Sequence, residues 1–287
     1  IFRVDNPHTK PLPFWERLLT DVAAESPEVV FLAEAFTLPP MMQTLAMIGF
    51  HQSYTYFAWR NSKTELEDYV QELASDQGSF LRPSIWPTTH DILTPYMQQG
   101  GRAAFKIRAI LAATFAPTWG IYSGYELIED IARPGSEEQI DNEKYEFKAR
   151  DYAEPGAMEM EGLLTRLNAA RREHLALRRL RNVAVHPTTD PAMVAFSRHV
   201  PAEVAPDGQA DTVLVVVNID PHNTREGLVE LDLAAIGLGD AAGDIRFHAH
   251  DLLSGQTYDW GREPFVRLDP ATNPGHLIHL VPAGGRP

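Results

Sequence analysis

The sequence predicts an α/β protein in two parts: barrel-type strand–helix units over residues 1–182 and an antiparallel β-sandwich over 183–287. Three observations predict it. Apolar strands alternate with amphipathic helices through the first 130 or so residues, which implies a parallel sheet covered by helices. Asp5, Glu34 and Asp91 each close a strand-like segment, and (β/α)8 barrels build their sites at such ends, from several strands. From about residue 183 the pattern changes to short strands between turn signals. A doubly wound open sheet shares the alternation; the position of the acids favours the barrel.

In order, Ile1–Asp5 is an alternating strand. Phe14-Trp15, Leu18-Leu19 and Val22-Ala23 recur at helical spacing, and Pro27 helps to end that helix. Val29–Ala33 is a continuous apolar run, the mark of a strand buried on both faces, and it delivers Glu34. A helix is expected over 41–50, an aromatic strand over Tyr54–Trp59, and a helix over 64–74 with Ser62 as N-cap. Phe80–Trp86 leads to Thr89-His90-Asp91. Arg102–Phe115 reads as a buried helix and Pro117–Tyr125 as the fifth strand. Five strands would be strands 4–8 of an eight-stranded barrel. The chain opens inside a strand without Met, so the expectation is a piece that begins in mid-barrel. Residues 132–156 read as a long loop and 157–182 as a helix with Leu163, Leu164, Leu167 and Ala170 inward. The sandwich strands are expected at Met193–Phe196, Thr212–Ile219, Gly227–Leu233, Ile245–Ala249 and His276–Val281.

Composition narrows the chemistry. The formal net charge is −14, with no basic face for nucleic acid. There is no cysteine, which excludes disulfides and thiolate chemistry. No run of 18 apolar residues is present, so no membrane-spanning helix is expected. With the lack of any leader, this points to the cytoplasm. His248, His250 and Asp251 alternate as a metal site would, but they lie in the sandwich before a turn; no metal and no cofactor is expected.

Asp5 and Glu34 are separated by about one βα repeat and Asp91 follows about two repeats later, so the three should share one mouth. Retaining glycosyl transfer needs two carboxyl groups roughly 5–5.5 Å apart, one nucleophile and one acid/base, with different pKa values. Arg3 shares the strand face of Asp5 and is expected to keep that carboxylate ionised. A buried Arg–Asp pair without catalytic role is the simpler alternative for those two residues alone.

Phe2-Arg3-Val4-Asp5, Glu34 after an apolar strand, and His90-Asp91 resemble, in order and spacing, the three later signature segments of the α-amylase family (glycoside hydrolase family 13). The resemblance implies Asp5 as nucleophile, Glu34 as acid/base, Asp91 as transition-state stabiliser, and Arg3 and His90 in support. The family's first signature segment is absent from this sequence. Where amylases carry Lys-His after the nucleophile, His8 and Thr9 stand here, which weighs against a calcium-dependent amylase.

Arg3–Pro11, Phe31–Thr37, Thr89–Ile92, Glu143-Lys144-Tyr145 and Val266–Pro270 are similar to the subgroup that extends α-1,4-glucan with maltose 1-phosphate. That resemblance implies maltose 1-phosphate and α-1,4-glucan as partners. It puts Asn6 near the phosphate and Lys144 and Tyr145 around the donor sugar. It leaves a homodimer open for the intact protein. Another α-amylase-type hydrolase or transglycosylase, or a module that only binds glucan, is the alternative.

Overall fold

Five short parallel strands lie side by side in the order in which the chain makes them. They are β1 (Phe2–Asp5), β2 (Phe31–Glu34), β3 (Gln52–Tyr54), β4 (Pro83–Ile85) and β5 (Thr118–Trp119). The structure is a computed structural model and describes residues 1–141, 147–239 and 245–283. Sequential order decides between the two α/β arrangements: a doubly wound sheet reverses direction at a switch point, whereas a barrel adds each strand to the same edge. This sheet never reverses.

Helices α1 (Leu12–Glu25), α2 (Pro39–Met47), α3 (Lys63–Ala74) and α4 (Pro95–Phe115) follow the first four strands, and α5 (Pro155–Glu173) follows the loop after β5. Pro stands in the first turn of α1, α2, α4 and α5, where its missing N–H costs no helical bond. Helix α3 starts with a full capping box, Ser62 and Glu65 satisfying each other's backbone N–H. In α4 the backbone breaks at Gly101 (φ 50°, ψ −147°), a conformation only glycine adopts at little cost. Beyond that kink every residue from Ala104 to Phe115 is buried.

That all-round burial has a structural reason. One side of α4 packs with Ile85 of the parallel sheet and with Phe57 just beyond β3, and another with Val194, Phe196, Val213, Val215 and Val217 of the antiparallel sheet. This second sheet has six strands: β6 (Val183–His186), β7 (Met193–Val200), β8 (Asp211–Asn218), β10 (Phe247–Asp251), β11 (Thr257–Trp260) and β13 (Gly275–Pro282). Its far face meets a two-stranded sheet of β9 (Arg225–Leu228) and β12 (Phe265–Leu268) over Met193, Leu214, Val229, Phe247, Val266 and Ile278. The α/β fold with a following antiparallel sandwich is as expected from the pattern.

Several segments differ from expectation. Tyr54–Trp59 is not one strand: β3 stops at Tyr54, and Tyr56–Trp59 is a 3-10 turn started by Thr55, whose hydroxyl accepts from the Phe57 N–H. The fifth strand is two residues, not nine: past Trp119 the Gly120 N–H still donates to the Ile85 carbonyl at 3.0 Å, and the ladder then stops. The 157–182 helix ends at Glu173 and continues as a 3-10 turn, Leu175–Arg178. The segment expected as a strand over Gly227–Leu233 is a strand only over Arg225–Leu228, followed by a single bridge from Val229 to Thr188. Strands β6, β11 and β12 were not expected.

Candidate active site

The site forms where the five parallel strands end. Strands β1 and β2 pair in a register that makes Asp5 and Glu34 direct partners, the last residues of each. The bond from Asn6 N–H to the Glu34 carbonyl (3.1 Å) fixes that register at the strand mouth. Just beyond, Asn6 takes a left-handed conformation (φ 48°, ψ 49°), which Asn tolerates better than most residues. The turn directs its side chain back, and Nδ2 donates to Asp5 Oδ1 at 3.4 Å. Pro7–Thr9 then form a 3-10 turn anchored by Trp15, whose indole N–H donates to the Pro7 carbonyl.

Glu34 is buried, with 3% of its surface exposed, whereas the Asp5 side chain is 67% exposed. Burial pushes the Glu34 carboxyl up to about 8; a hydrogen bond with Asp5 and the negative charge of Asp91 act in the same direction, and Arg3 acts against them. Asp5 and Glu34 are paired across neighbouring strands and their side chains share a hydrogen bond. Carboxyls in such contact leave no room for a water between them, which an inverting pair needs at about 6.5–9.5 Å, so the arrangement suits a retaining pair.

Arg3 corrects one expectation. Its Nη2 lies 2.5 Å from Glu34 Oε1 and 4.0 Å from Asp5 Oδ1. It shares the Asp5 face, as the strand period requires, but reaches across to the neighbouring strand. It therefore serves the buried acid first and the exposed one second. The guanidinium also lies over the ring of Tyr54, 5.7 Å from its centroid. Tyr54 is buried and stacks on Trp86 (5.2 Å, 19°), and the Trp86 indole donates to Ser84 Oγ. Gly120 makes room for this stack, since a Cβ there would sit 2.5 Å from the Trp86 ring.

Asp91 comes from the loop after β4. Thr89 Oγ1 donates to its Oδ1 at 2.8 Å, and His90 Nε2 lies 3.5 Å from its Oδ2. The turn is braced by a distant segment: Gln139 donates its side-chain amide to the Thr89 carbonyl and its backbone N–H to the His90 carbonyl, while Leu93 N–H donates to the Glu137 carbonyl. Glu137 in turn accepts from the Trp59 indole at 2.8 Å. Tyr122, from the turn after β5, has its ring 6.2 Å from that of His90.

The structure thus brings together Arg3, Asp5, Asn6, Glu34, His90 and Asp91. Lys144 and Tyr145 lie outside the described residues. Tyr54 and Trp86, from the segments expected as the aromatic strand and the approach to His90-Asp91, are the wall behind Arg3. Sequence reasoning missed Gln139, Glu137 and Tyr122; position in a long loop was the only signal for the first two, and Tyr122 fell inside the segment expected as the fifth strand. His248, His250 and Asp251 do not converge: the two histidines are exposed, while Asp251 is fully buried and held by His276, Ser254 and backbone N–H groups.

Comparison with known proteins finds relatives over nearly the whole chain. Residues 185–280 match the family model described as GLGE, C-terminal. The α-1,4-glucan:maltose-1-phosphate maltosyltransferase of Arcanobacterium haemolyticum is 56% identical over 281 residues, 98% of this chain and 41% of that protein. Maltosyltransferase 2 of Streptomyces coelicolor is 51% identical, again over 98% of this chain and 41% of its own length. The chain therefore spans about two-fifths of the length of these relatives. Among solved structures, an Anoxybacillus α-amylase superimposes with TM-score 0.64 at 16% identity, over 96% of this chain and 57% of that one. The Geobacillus thermoleovorans α-amylase complexed with acarbose gives 0.67 at 15%, over 97% and 59%. At that identity the likeness is one of fold.

Proposed function

The chain belongs to the family of the α-1,4-glucan:maltose-1-phosphate maltosyltransferases, and on that premise we propose that it carries the nucleophile and the acid/base of retaining maltosyl transfer. The observation that carries this reading is the direct pairing of Asp5 with Glu34, one carboxylate exposed and one buried, with Asp91 close enough to raise the second.

The reaction we propose is a double displacement. Asp5, ionised and open to the mouth, attacks the anomeric carbon of maltose 1-phosphate as the C1–O bond to phosphate breaks. Phosphate is a good leaving group, so the proton from Glu34 assists a departure that already proceeds readily. The product is a β-linked maltosyl ester on Asp5. Glu34, now a carboxylate, takes the proton of a glucan 4-hydroxyl, whose oxygen displaces Asp5 and restores the α configuration. Asp91, oriented by Thr89, would grip sugar hydroxyls as positive charge develops at C1, with His90 beside it. Asn6, turned back on Asp5, would meet the phosphate. Lys144 and Tyr145 are proposed around the donor sugar on the resemblance alone. Residues 1–182 are proposed as the catalytic part and 183–287 as the accompanying sandwich.

The setting we propose is cytoplasmic α-glucan synthesis, which the absence of cysteine suits. A homodimer is tested by the solution mass of the full-length protein. No described helix is long and apolar enough to cross a membrane. Mixing the full-length protein with maltose 1-phosphate and glycogen tests the activity: phosphate release with elongation supports it. Release of maltose from glycogen with no use of the phosphate donor would instead identify a hydrolase.

A further inference from the structure

Outside the candidate active site, one cluster of metal-ligating side chains stands in a surface cleft. His174 closes α5, Asp211 opens β8 and His279 lies on β13. His174 Nδ1 is 2.9 Å from Asp211 Oδ1, and His279 Nε2 is 3.9 Å from the same oxygen. The two imidazole rings are 4.6 Å apart, and one ligand atom from each of the three residues lies within 4.8 Å of the others. All three are half-buried in a cleft of about 720 Å³. None of its lining residues belongs to the candidate active site.

We propose that His174, Asp211 and His279 bind one Zn²⁺ ion, which ties the end of α5 to the antiparallel sheet. Two imidazoles and one carboxylate are a zinc-type donor set, whereas Ca²⁺ and Mg²⁺ need a shell of oxygens that one carboxylate does not supply. Zinc bonds of about 2.0–2.2 Å place neighbouring tetrahedral ligands roughly 3.3 Å apart, so the 2.9 Å His174–Asp211 pair would open slightly and His279 would turn inward from spacings of 3.9 Å to at most 4.8 Å. The carboxylate is already oriented: Asp211 Oδ2 accepts the Ala176 N–H at 2.8 Å, which leaves Oδ1 directed at both rings. A pairing of His174 with Asp211 alone would account for the first contact but not for His279 converging on the same oxygen. The cleft leaves a fourth position for water. Glu173 and Asp207 line the same cleft with Arg178, so with Asp211 the acids outnumber the permanent cation there.

The test uses full-length protein stripped with chelator and titrated with ZnCl₂ by calorimetry, beside His174→Gln and His279→Gln. The expected result is one saturable Zn²⁺ per chain, a melting temperature that rises with it, and affinity lower by roughly tenfold or more in both variants. His279 is 30% exposed, so its substitution should leave the metal-free melting temperature near that of the parent. Turnover with maltose 1-phosphate should be the same in all three proteins, because no proposed catalytic group is touched. Absence of saturable binding in the parent protein, or equal affinity in the parent and both variants, overturns the proposal.

Discussion

The Arg3 guanidinium sits 2.5 Å from Glu34 Oε1, yet the Glu34 carboxyl is held near pH 8 and not below its ordinary range. One cation should stabilise the carboxylate. Here it is outweighed by burial, by the shared hydrogen bond with Asp5 and by the charge of Asp91. Asp5 and Glu34 are best regarded as a pair with one proton between them, Arg3 countering the charge that remains. The arrangement keeps a proton on the buried member at neutral pH while the exposed member faces the mouth, which suits the retaining mechanism proposed.

A pH dependence of stability follows. Glu34 titrates near its ordinary 4.5 in the unfolded chain and about 8 in the folded one, so between those values the folded state holds a proton that the unfolded state has lost. Stability should therefore fall as pH rises from about 4.5 to 8, by up to roughly 1.4 kcal/mol per pH unit from this group, and level off above. Glu34→Gln removes the contribution. Melting curves of both proteins across pH 4.5–8 should converge on the acid side, with the variant gaining steadily toward pH 8. Parallel curves would show that Glu34 titrates normally.

Asp5→Ala should eliminate transfer while leaving the fold. The carboxylate is largely exposed, so its removal creates no cavity, but no other group would stand in line to form the ester. Phosphate release should drop by several orders of magnitude, with a melting temperature within a few degrees of the parent. Appreciable residual turnover would exclude Asp5 as nucleophile.

How much of this was legible depends on how each residue announces itself. Glu34 was visible because it ends a fully apolar run, and Asp5 because a strand precedes it and a turn-forming Asn-Pro follows. The strand order was implied by the βα alternation. Strands β11 and β12 were not visible, since four residues give too few alternations to separate a strand from a turn. The length of β5 was misread because its apolar and aromatic neighbours continue past Gly120, although strand pairing with β4 does not. Aromatic wall and aromatic core look alike in sequence, so nothing marked Tyr54 as the surface beneath Arg3. The Gln139 brace spans 50 residues and exists only once the loop has folded back.

That brace gives a third expectation. Gln139 is buried and its amide holds the Thr89 carbonyl at 3.1 Å, one residue from His90 and two from Asp91. Gln139→Ala leaves that buried carbonyl without its partner and loosens the turn, at a cost of about 1–3 kcal/mol. Asp91 is proposed to act mainly as charge develops, so kcat should fall more than KM rises. A change confined to stability, with kcat intact, would mean that the turn keeps its geometry unaided.

Arg198 tests the join between helix α4 and the antiparallel sheet. It is fully buried and has no carboxylate partner among the described residues; its guanidinium donates to the carbonyls of Thr114, Phe115, Arg179 and Leu180 and to Asn182 Oδ1. Burial, with Arg171 nearby, pulls its pKa down to about 9. The bonds offset a large desolvation cost. Arg198→Ala should therefore destabilise by on the order of 3 kcal/mol or more, since several carbonyls lose their donor inside a cavity. Denaturant unfolding measures this directly; a loss below about 1 kcal/mol would mean that water replaces the guanidinium.

The last expectation concerns a residue with no side chain. Gly120 is where β5 ends, its N–H donating to the Ile85 carbonyl at 3.0 Å. A methyl group there would lie 2.5 Å from two ring carbons of Trp86, well inside van der Waals contact. The indole has little freedom to yield, because one face stacks on Tyr54 and its N–H is bonded to Ser84. Strain would pass from Trp86 to Tyr54, and from that ring to the Arg3 guanidinium above it. Gly120→Ala should cost about 1–3 kcal/mol by overpacking and should lower kcat by shifting Arg3 against Glu34. Trp86→Phe removes the clashing part of the indole and should restore both properties in the double variant. If Gly120→Ala alone melts and turns over like the parent, the Trp86–Tyr54 stack does not control the position of Arg3.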